Sequence, residues 1–99
     1  MKDPISKLNK TFESRIRIGV MSALIVNENL SFNDLKALMD VTDGNLATHL
    51  KTLEEAGYMK VEKGFIGRKT NTTYSLTRAG DKAFRNHLDA LEAIIKSLP

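Results

Sequence analysis

The chain has 99 residues, of which 41% are hydrophobic and 27% charged, and this length and composition favour one globular domain. It contains no cysteine, which excludes disulfides, thiol nucleophiles and thiolate metal sites. It also lacks both a run of about 20 apolar residues for a membrane span and the layout of a signal peptide, so we expect a cytoplasmic protein with no membrane partner. The net charge of +3 and the pI of about 9.3 favour an anionic partner only weakly.

The first predicted element is a long helix over residues 5–26. Its apolar residues recur at steps of three and four, the period of a helix with one buried face; they are Ile5, Leu8, Phe12, Ile16, Val20, Ala23 and Leu24. Gly19 costs this helix up to about 1 kcal/mol relative to alanine. It therefore either permits close packing or marks a break between two helices. The segment 30–32 that follows is long enough only for a small strand, which would pair with a later hairpin.

Two shorter helices are predicted next, over residues 34–39 and 43–56. Asn33 is the expected N-cap of the first of them, and either Thr42 or Asp43 is the expected N-cap of the second. The connection between them is only a few residues long. This spacing is typical of a helix-turn-helix unit.

The helix over 43–56 has two contrasting faces. Its predicted buried stripe consists of Leu46, Leu50 and Leu53. At about 100° per residue, the opposite face carries short polar and charged side chains; they are Gly44, Thr48, Lys51 and Glu55, with Asn45 and Thr52 on its shoulder. His49 lies between the two faces, and we interpret it as a packed or phosphate-bonding histidine rather than a metal ligand, because no second ligand stands at zinc spacing.

A β-hairpin is predicted over residues 58–76. Met59 and Val61 alternate with Lys60 and Glu62, which is the period of a half-buried strand, and the return strand is rich in threonine and tyrosine. The loop between the strands contains no acid from residue 63 to residue 70. Its candidate phosphate-binding residues are Lys63, Arg68, Lys69 and Thr70, and we expect Phe65 and Ile66 to tuck against the hairpin base.

The last predicted helix covers residues 78–98 and carries a heptad seam. Its apolar residues follow one another at steps of four, three, four and three; they are Phe84, Leu88, Leu91, Ile95 and Leu98. A helix that lies beyond a three-helix core has little left to pack against within one subunit. We therefore expect a two-fold dimer, to which the first helix contributes Ile5, Leu8 and Phe12.

The helix over 43–56 has the residue types of a helix that reads a DNA major groove. Asparagine can pair bidentately with adenine, threonine can contact a thymine methyl group, and free N–H groups at the helix start suit a phosphate. The candidate DNA-binding residues are Thr42, Gly44, Asn45, Thr48, His49, Lys51 and Thr52. We leave open whether Arg15, Arg17 and Arg78 also contact the DNA backbone.

Residues 41–58 and 61–77 closely resemble the small bacterial and archaeal winged-helix transcriptional regulators related to the MarR and ArsR groups. The resemblance is carried by Thr-Asp-Gly-Asn-Leu-x-x-His-Leu-x-x-Leu-Glu-Glu-Ala-Gly-Tyr and by Gly-Arg-Lys-x-x-Thr-Thr-Tyr-x-Leu-Thr. It implies a mainly α fold with a small antiparallel β-hairpin, namely a winged helix-turn-helix with a long C-terminal dimerisation helix. It also implies a single domain over residues 1–99, a recognition helix followed by a wing, and terminal helices that pair across a homodimer.

The function that this resemblance implies is sequence-specific binding of double-stranded DNA as a homodimer that regulates transcription. The resemblance leaves open a repressor or an activator, and we expect a prokaryotic repressor. Metal sensors of this kind need Cys or His clusters, and His49 and His87 are the only histidines here, so no metal or other cofactor is expected. No phosphate loop or catalytic set of residues is recognisable, and we expect no enzyme activity. A small-molecule effector is left open. The alternative is a winged-helix module that binds another protein.

Overall fold

The computed structural model describes residues 2–99, which form five α-helices and a small antiparallel sheet. The elements in chain order are α1 (Lys2–Ser6), a 3-10 turn (Lys10–Phe12), α2 (Arg15–Ile25), β1 (Leu30–Ser31), α3 (Phe32–Met39), α4 (Asp43–Glu55), β2 (Met59–Ile66), β3 (Lys69–Leu76) and α5 (Arg78–Lys96). The predicted fold class, mainly α with a small hairpin, is confirmed. The last helix ends at Lys96, two residues before the predicted end.

The single helix predicted over 5–26 is wrong, because the segment is divided into α1, the 3-10 turn and α2. Two polar side chains cap new helical starts inside it. The Asn9 side chain accepts a hydrogen bond from the Thr11 N–H at 3.0 Å, and the Ser14 hydroxyl accepts one from the Arg17 N–H at 3.2 Å. Such side chains compete with a continuous helix by bonding to nearby backbone groups. The periodicity of the apolar residues persisted across the breaks and concealed them.

Gly19 permits close packing and does not mark a break. It lies inside α2, and a Cβ atom built on it would stand 2.5 Å from the sulfur of Met39. The end of α3 therefore approaches the backbone of α2 at this point. Of the two roles left open for Gly19, the structure supports this one.

The helix-turn-helix unit begins earlier than predicted. The N-cap of α3 is Ser31 rather than Asn33, and Ser31 forms a capping box with Asp34. α3 ends at Met39 and is capped by Asp40, which adopts a left-handed conformation with φ of 52°. Thr42 caps α4, since its hydroxyl accepts a hydrogen bond from the Asn45 N–H at 3.2 Å.

The sheet has the strand order β1-β3-β2, and both pairings are antiparallel. The predicted pairing of the segment 30–32 with the hairpin is confirmed, since Leu30 lies opposite Tyr74. Ile66 is paired with Lys69, so Gly67 and Arg68 form a two-residue turn, and Gly67 has a φ of 63°. The short turn keeps both strands paired to the tip of the hairpin.

The core lies between α2, α4, the sheet base and the first half of α5, and an aromatic cluster closes it. Phe12 is fully buried, with ring centroids of Tyr58, Phe84 and His87 at 5.3, 5.2 and 5.3 Å. His87 is itself buried, and its Nδ1 accepts a hydrogen bond from the Asn9 N–H at 3.0 Å. The 3-10 turn that carries Phe12 is thereby fixed to α5.

His87 is expected to make the folded chain less stable as the pH falls below about 6.5. Burial lowers the pKa of His87, against a smaller raising effect of Glu13. The unfolded chain therefore takes up this proton at a higher pH than the folded chain does, and stability present above the unfolded pKa is lost as the pH falls toward the folded pKa.

The check is urea unfolding between pH 8 and pH 5. We expect His87→Asn, whose side-chain oxygen can still accept from the Asn9 N–H, to show a shallower loss of stability than the wild type. His49→Asn serves as the comparison, because the pKa of His49 is also lowered, by burial and by Arg17. An unchanged pH profile in His87→Asn would refute the assignment.

Candidate nucleic-acid interface

The outward face of α4 is a surface of short polar and charged side chains. Leu46, Leu50 and Leu53 are buried, as predicted, and anchor the opposite side of the helix. Of the candidate residues, Thr42, Gly44, Asn45, Thr48 and Lys51 are exposed, whereas His49 and Thr52 are half-buried. A Cβ atom on Gly44 would have no neighbour within 4 Å, so no other part of residues 2–99 lies against the helix at this position.

Hydrogen bonds within α4 define what this face offers to a ligand. The hydroxyl groups of Thr48 and Thr52 donate to the carbonyl groups of Gly44 and Thr48, at 2.9 and 3.1 Å. Their methyl groups remain available for apolar contact. The Asn45 amide has no hydrogen-bond partner within residues 2–99. This combination of a free amide and threonine methyl groups can meet the edges of A·T base pairs.

The acidic residue at the start of α4 is paired. The Asp43 carboxylate lies 2.6 Å from Lys36 Nζ on α3, and both side chains are exposed. The lysine offsets a negative charge that would otherwise repel an anion at the helix N-terminus. Lys36 was not predicted to belong to this region, because nothing in the sequence signals a contact between the two helices at that position.

Arg17 and His49 meet on the side of α4 that faces α2. Arg17 Nη1 lies 2.9 Å from His49 Nδ1, and Arg17 Nε donates to the Thr11 carbonyl at 2.6 Å. Burial lowers the pKa of His49, and the nearby charge of Arg17 lowers it further. Arg17 was only an open possibility in the sequence, since 32 residues separate it from His49.

The β2–β3 hairpin lies on the other side of α4. Side chains alternate between the two faces of a hairpin, and the face that continues from buried Met59 and Tyr74 carries Lys63, Phe65 and Thr70 toward the tip. Lys63 and Lys51 line one shallow groove between α4 and the hairpin, together with Glu54. The remaining predicted cations, Arg68 and Lys69, are exposed at the tip.

The expectation that Phe65 and Ile66 tuck against the hairpin base is wrong. Phe65 is 74% exposed and Ile66 is 69% exposed. The paired strands carry them to the tip of the hairpin, where the other elements of residues 2–99 leave both side chains largely uncovered. The tip therefore combines an apolar pair with the two cations that follow it.

Some residues of the predicted dimer surface are buried within the subunit, and others are exposed. Phe12 and Phe84 are buried within one subunit, at 0% and 1% exposure, so they are not available to contact a partner. Leu8 is half-buried. The exposed members of the predicted set are Ile5, Leu88, Leu91, Ile95 and Leu98. The heptad seam thus packs on the core at its first residue and leaves the core toward the C-terminus.

Residues 2–99 contain neither a metal-binding cluster nor a helix that could span a membrane. No group of three or more His, Asp or Glu side chains there is placed to hold a metal ion. Among the same residues, no helix has the length and apolar character needed to cross a membrane.

Comparison with known proteins identifies the family. Residues 16–95 match the model of the winged helix DNA-binding domain family. An uncharacterised protein of Methanocaldococcus jannaschii is 35% identical over 89 residues, which cover 90% of this chain and 97% of that protein.

Solved structures show the same architecture. A transcriptional regulator homologue from Pyrococcus horikoshii superposes with a TM-score of 0.76 and 28% identity, covering 92% of this chain and 95% of that one. PadR from Bacillus subtilis in complex with operator DNA superposes with a TM-score of 0.67 and 18% identity, covering 87% of this chain and 62% of that one, and it shows the fold alone. The match over residues 16–95 and the helix-turn-helix followed by a hairpin together show that the chain belongs to the winged helix DNA-binding domain family.

Proposed function

We propose that the chain is a cytoplasmic transcriptional repressor that binds a specific double-stranded DNA sequence as a homodimer. One observation carries the proposal. The exposed face of α4 presents short polar side chains, and it is flanked by the basic β2–β3 hairpin on one side and by Arg17 on the other. Family membership supports DNA as the ligand, and the Pyrococcus horikoshii structure, a transcriptional regulator homologue, supports regulation.

In this proposal, α4 lies in the major groove and reads base edges. Asn45 pairs with an adenine, and Thr48 contacts a thymine methyl group. Thr42 and the free N–H groups of the first turn of α4 hold a phosphate at the entry to the groove. Because Asp43 is paired with Lys36, its charge opposes this contact less than an unpaired carboxylate would.

The hairpin grips the DNA that flanks the major-groove contact. Arg68 at the two-residue turn enters a narrow minor groove, while Lys63, Lys69 and Thr70 contact phosphates. Lys51 approaches the groove wall on the hairpin side of α4. These contacts read little sequence and make the affinity depend on salt concentration.

The exposed C-terminal half of α5 joins two subunits in this proposal. Leu88, Leu91 and Ile95 would pack against their counterparts around a two-fold axis. The two α4 helices would then read half-sites about one helical turn apart. A palindromic operator is the expected target.

The direct test is selection from a pool of random duplex DNA, repeated at two salt concentrations. We expect an enriched palindrome whose half-site centres lie about ten base pairs apart. Sequence-blind binding that disappears with salt would reject the proposal and leave only a basic surface.

Two substitutions separate base reading from backbone contact. Asn45→Ala is expected to lose about 1–3 kcal/mol of discrimination at one base position, with a smaller loss on random DNA. Arg68→Ala is expected to weaken cognate and random DNA about equally and to reduce the salt slope by about 1. Titrations of both DNAs with each variant measure these differences.

Lys96→Ala is the charge control for Arg68→Ala, because it removes one cation at the far end of α5. We expect it to leave both affinities almost unchanged. Equal losses on cognate and random DNA for Asn45→Ala would show that this residue does not read sequence.

One observation favours the alternative, a module that docks a protein. The exposed pair Phe65 and Ile66 is an apolar feature at the hairpin tip. This apolar feature consists of only two side chains, however, and the outward face of α4 is polar, which favours DNA over a protein partner. Selection of no DNA sequence, together with Arg68→Ala leaving DNA binding unchanged, would make the protein-docking function the better explanation.

A further inference from the structure

Arg17 connects the 3-10 turn before α2 to the middle of α4. Its Nε donates to the Thr11 carbonyl at 2.6 Å, and its Nη1 lies 2.9 Å from His49 Nδ1. The turn is held firmly, because the next residue, Phe12, is fully buried in the aromatic cluster. The two contacts use the planar fork of the guanidinium, whose donors have fixed directions.

These contacts determine the protonation of the His49 ring. A guanidinium group has donors and no acceptor, so His49 Nδ1 must accept the hydrogen bond from Arg17. The ring is then neutral and carries its proton on Nε2. The lowered pKa of His49, which burial and the charge of Arg17 cause, agrees with a neutral ring.

The Nε2–H group of His49 is not fully buried. His49 is half-buried, and residues 2–99 contain no side-chain nitrogen or oxygen that is both buried and without a hydrogen-bond partner. Nε2 has no partner among these residues, so it must be accessible. Arg17 therefore leaves one donor of known position on the surface of α4.

The position of this donor suits a phosphate rather than a base. His49 follows Thr48 by one residue, so it lies about 100° around the helix axis from Thr48. When a helix lies in the major groove, its flanks face the two sugar-phosphate walls. Lys51 occupies the flank toward the hairpin, and His49 occupies the flank toward α2.

We propose that Arg17 is a positioning residue that fixes His49 as an Nε2–H donor to a DNA backbone phosphate. The inference rests on the proposed function, since it needs α4 to lie in the major groove. It adds a defined contact on the groove wall opposite the hairpin, and it assigns Arg17 an indirect role. Because the donor is neutral, the strength of this hydrogen bond depends more on its geometry than on the ionic strength.

The first test uses the free protein and needs no DNA. Long-range nitrogen–proton NMR spectra of the histidine rings distinguish the Nε2–H tautomer from the Nδ1–H tautomer. We expect the wild-type His49 to be only the Nε2–H tautomer near pH 7.5, and we expect Arg17→Met to give a mixture of both. His87 serves as an internal reference, because its Nδ1 accepts from the Asn9 N–H in both proteins.

The second test compares two replacements of His49 in DNA titrations. His49→Asn retains an acceptor near the Nδ1 position and lacks a donor at the Nε2 position. We expect it to bind cognate and random DNA about tenfold more weakly, as for the loss of a hydrogen bond to a charged group. His49→Gln places an amide donor near the Nε2 position, and we expect it to lose no more than about threefold.

A double-mutant cycle separates positioning from direct contact by Arg17. Arg17→Met is expected to weaken DNA binding more in the wild type than in His49→Asn. The loss of DNA affinity that Arg17→Met causes in the His49→Asn background then measures the electrostatic contribution of Arg17 alone. Equal losses in both backgrounds would overturn the proposal, as would an unchanged His49 spectrum in Arg17→Met.

The outcomes distinguish this inference from the proposed function. If the wild type selects no DNA sequence, the proposed function fails whatever the ring spectra show. If it selects a palindrome while His49→Asn binds as tightly as the wild type, only the inference about Arg17 and His49 fails. Thermal unfolding of each variant identifies any variant that does not fold. If His49→Asn or Arg17→Met does not fold, the DNA affinity of His49→Gln and the ring spectrum of the wild type still test the inference.

Discussion

Replacing Gly80 with alanine is expected to destabilise the chain by about 3 kcal/mol or more, as for severe overpacking. A Cβ atom there would stand 2.0 Å from the carbonyl oxygen of Tyr58 and 2.8 Å from its carbonyl carbon. These are backbone atoms, and the same carbonyl accepts a hydrogen bond from the Thr77 N–H at 3.1 Å. Neither side can move without disturbing the joint between the hairpin base and α5. The loss would be a large part of the roughly 5–15 kcal/mol that stabilises a typical domain.

Gly44→Ala is the matched control for this prediction. Gly44 also lies in the first turn of a helix, but an added Cβ would meet nothing within 4 Å. We expect this variant to gain up to about 1 kcal/mol, because alanine favours a helix more than glycine does. Urea unfolding of the two variants measures the difference. A Gly80→Ala variant as stable as the wild type would show that α5 does not pack this closely on Tyr58.

Replacing both Leu91 and Ile95 with glutamate is expected to convert the proposed dimer into monomers. Both side chains are exposed on the C-terminal half of α5, where burial against a second subunit would favour apolar residues and exclude unpaired charges. Loss of the dimer would remove the gain from binding two linked half-sites, which is on the order of 10²–10⁴-fold in affinity. Light scattering and titration of the selected palindrome measure the two effects.

Lys96→Glu is the control for this pair of substitutions. It changes the net charge by the same two units, at an exposed residue that pairs with Glu92 on the polar side of α5. We expect it to remain dimeric and to keep its affinity for the palindrome. The folded state of each variant is compared by circular dichroism, because the substituted residues lie outside the core. If Leu91→Glu with Ile95→Glu remained dimeric, another surface would have to join the subunits.

Local sequence signals predicted most of the DNA-binding half of the molecule. The Leu46, Leu50 and Leu53 stripe determined which side of α4 faces outward. The two candidate caps, Thr42 and Asp43, placed the start of the helix to within one residue, and the structure selects Thr42. Glycine and the alternation of apolar residues predicted the hairpin, whose strands lie within the predicted range 58–76. These features depend on residues a few positions apart, so periodicity and capping residues are sufficient to find them.

Apolar periodicity gave wrong predictions where local capping or tertiary burial interrupted the repeat. The apolar repeat over residues 5–26 predicted one helix, although Asn9 and Ser14 interrupt it with their side-chain hydrogen bonds. The heptad seam of α5 predicted one continuous surface. Burial instead divides it, because Phe84 meets the aromatic cluster whereas Leu91 and Ile95 lie beyond the core.

The sequence by itself determined the fold class, the order of elements and the composition of the candidate DNA-binding face. Only the tertiary structure decided which distant residues act together. Lys36 pairs with Asp43, and Arg17 contacts His49. Gly80, which has no side chain, allows the backbone of Tyr58 to pack closely against α5. The physical reason is that helices and turns follow from local backbone preferences, whereas side chains from separate elements meet only after the core has packed and set the distances between them.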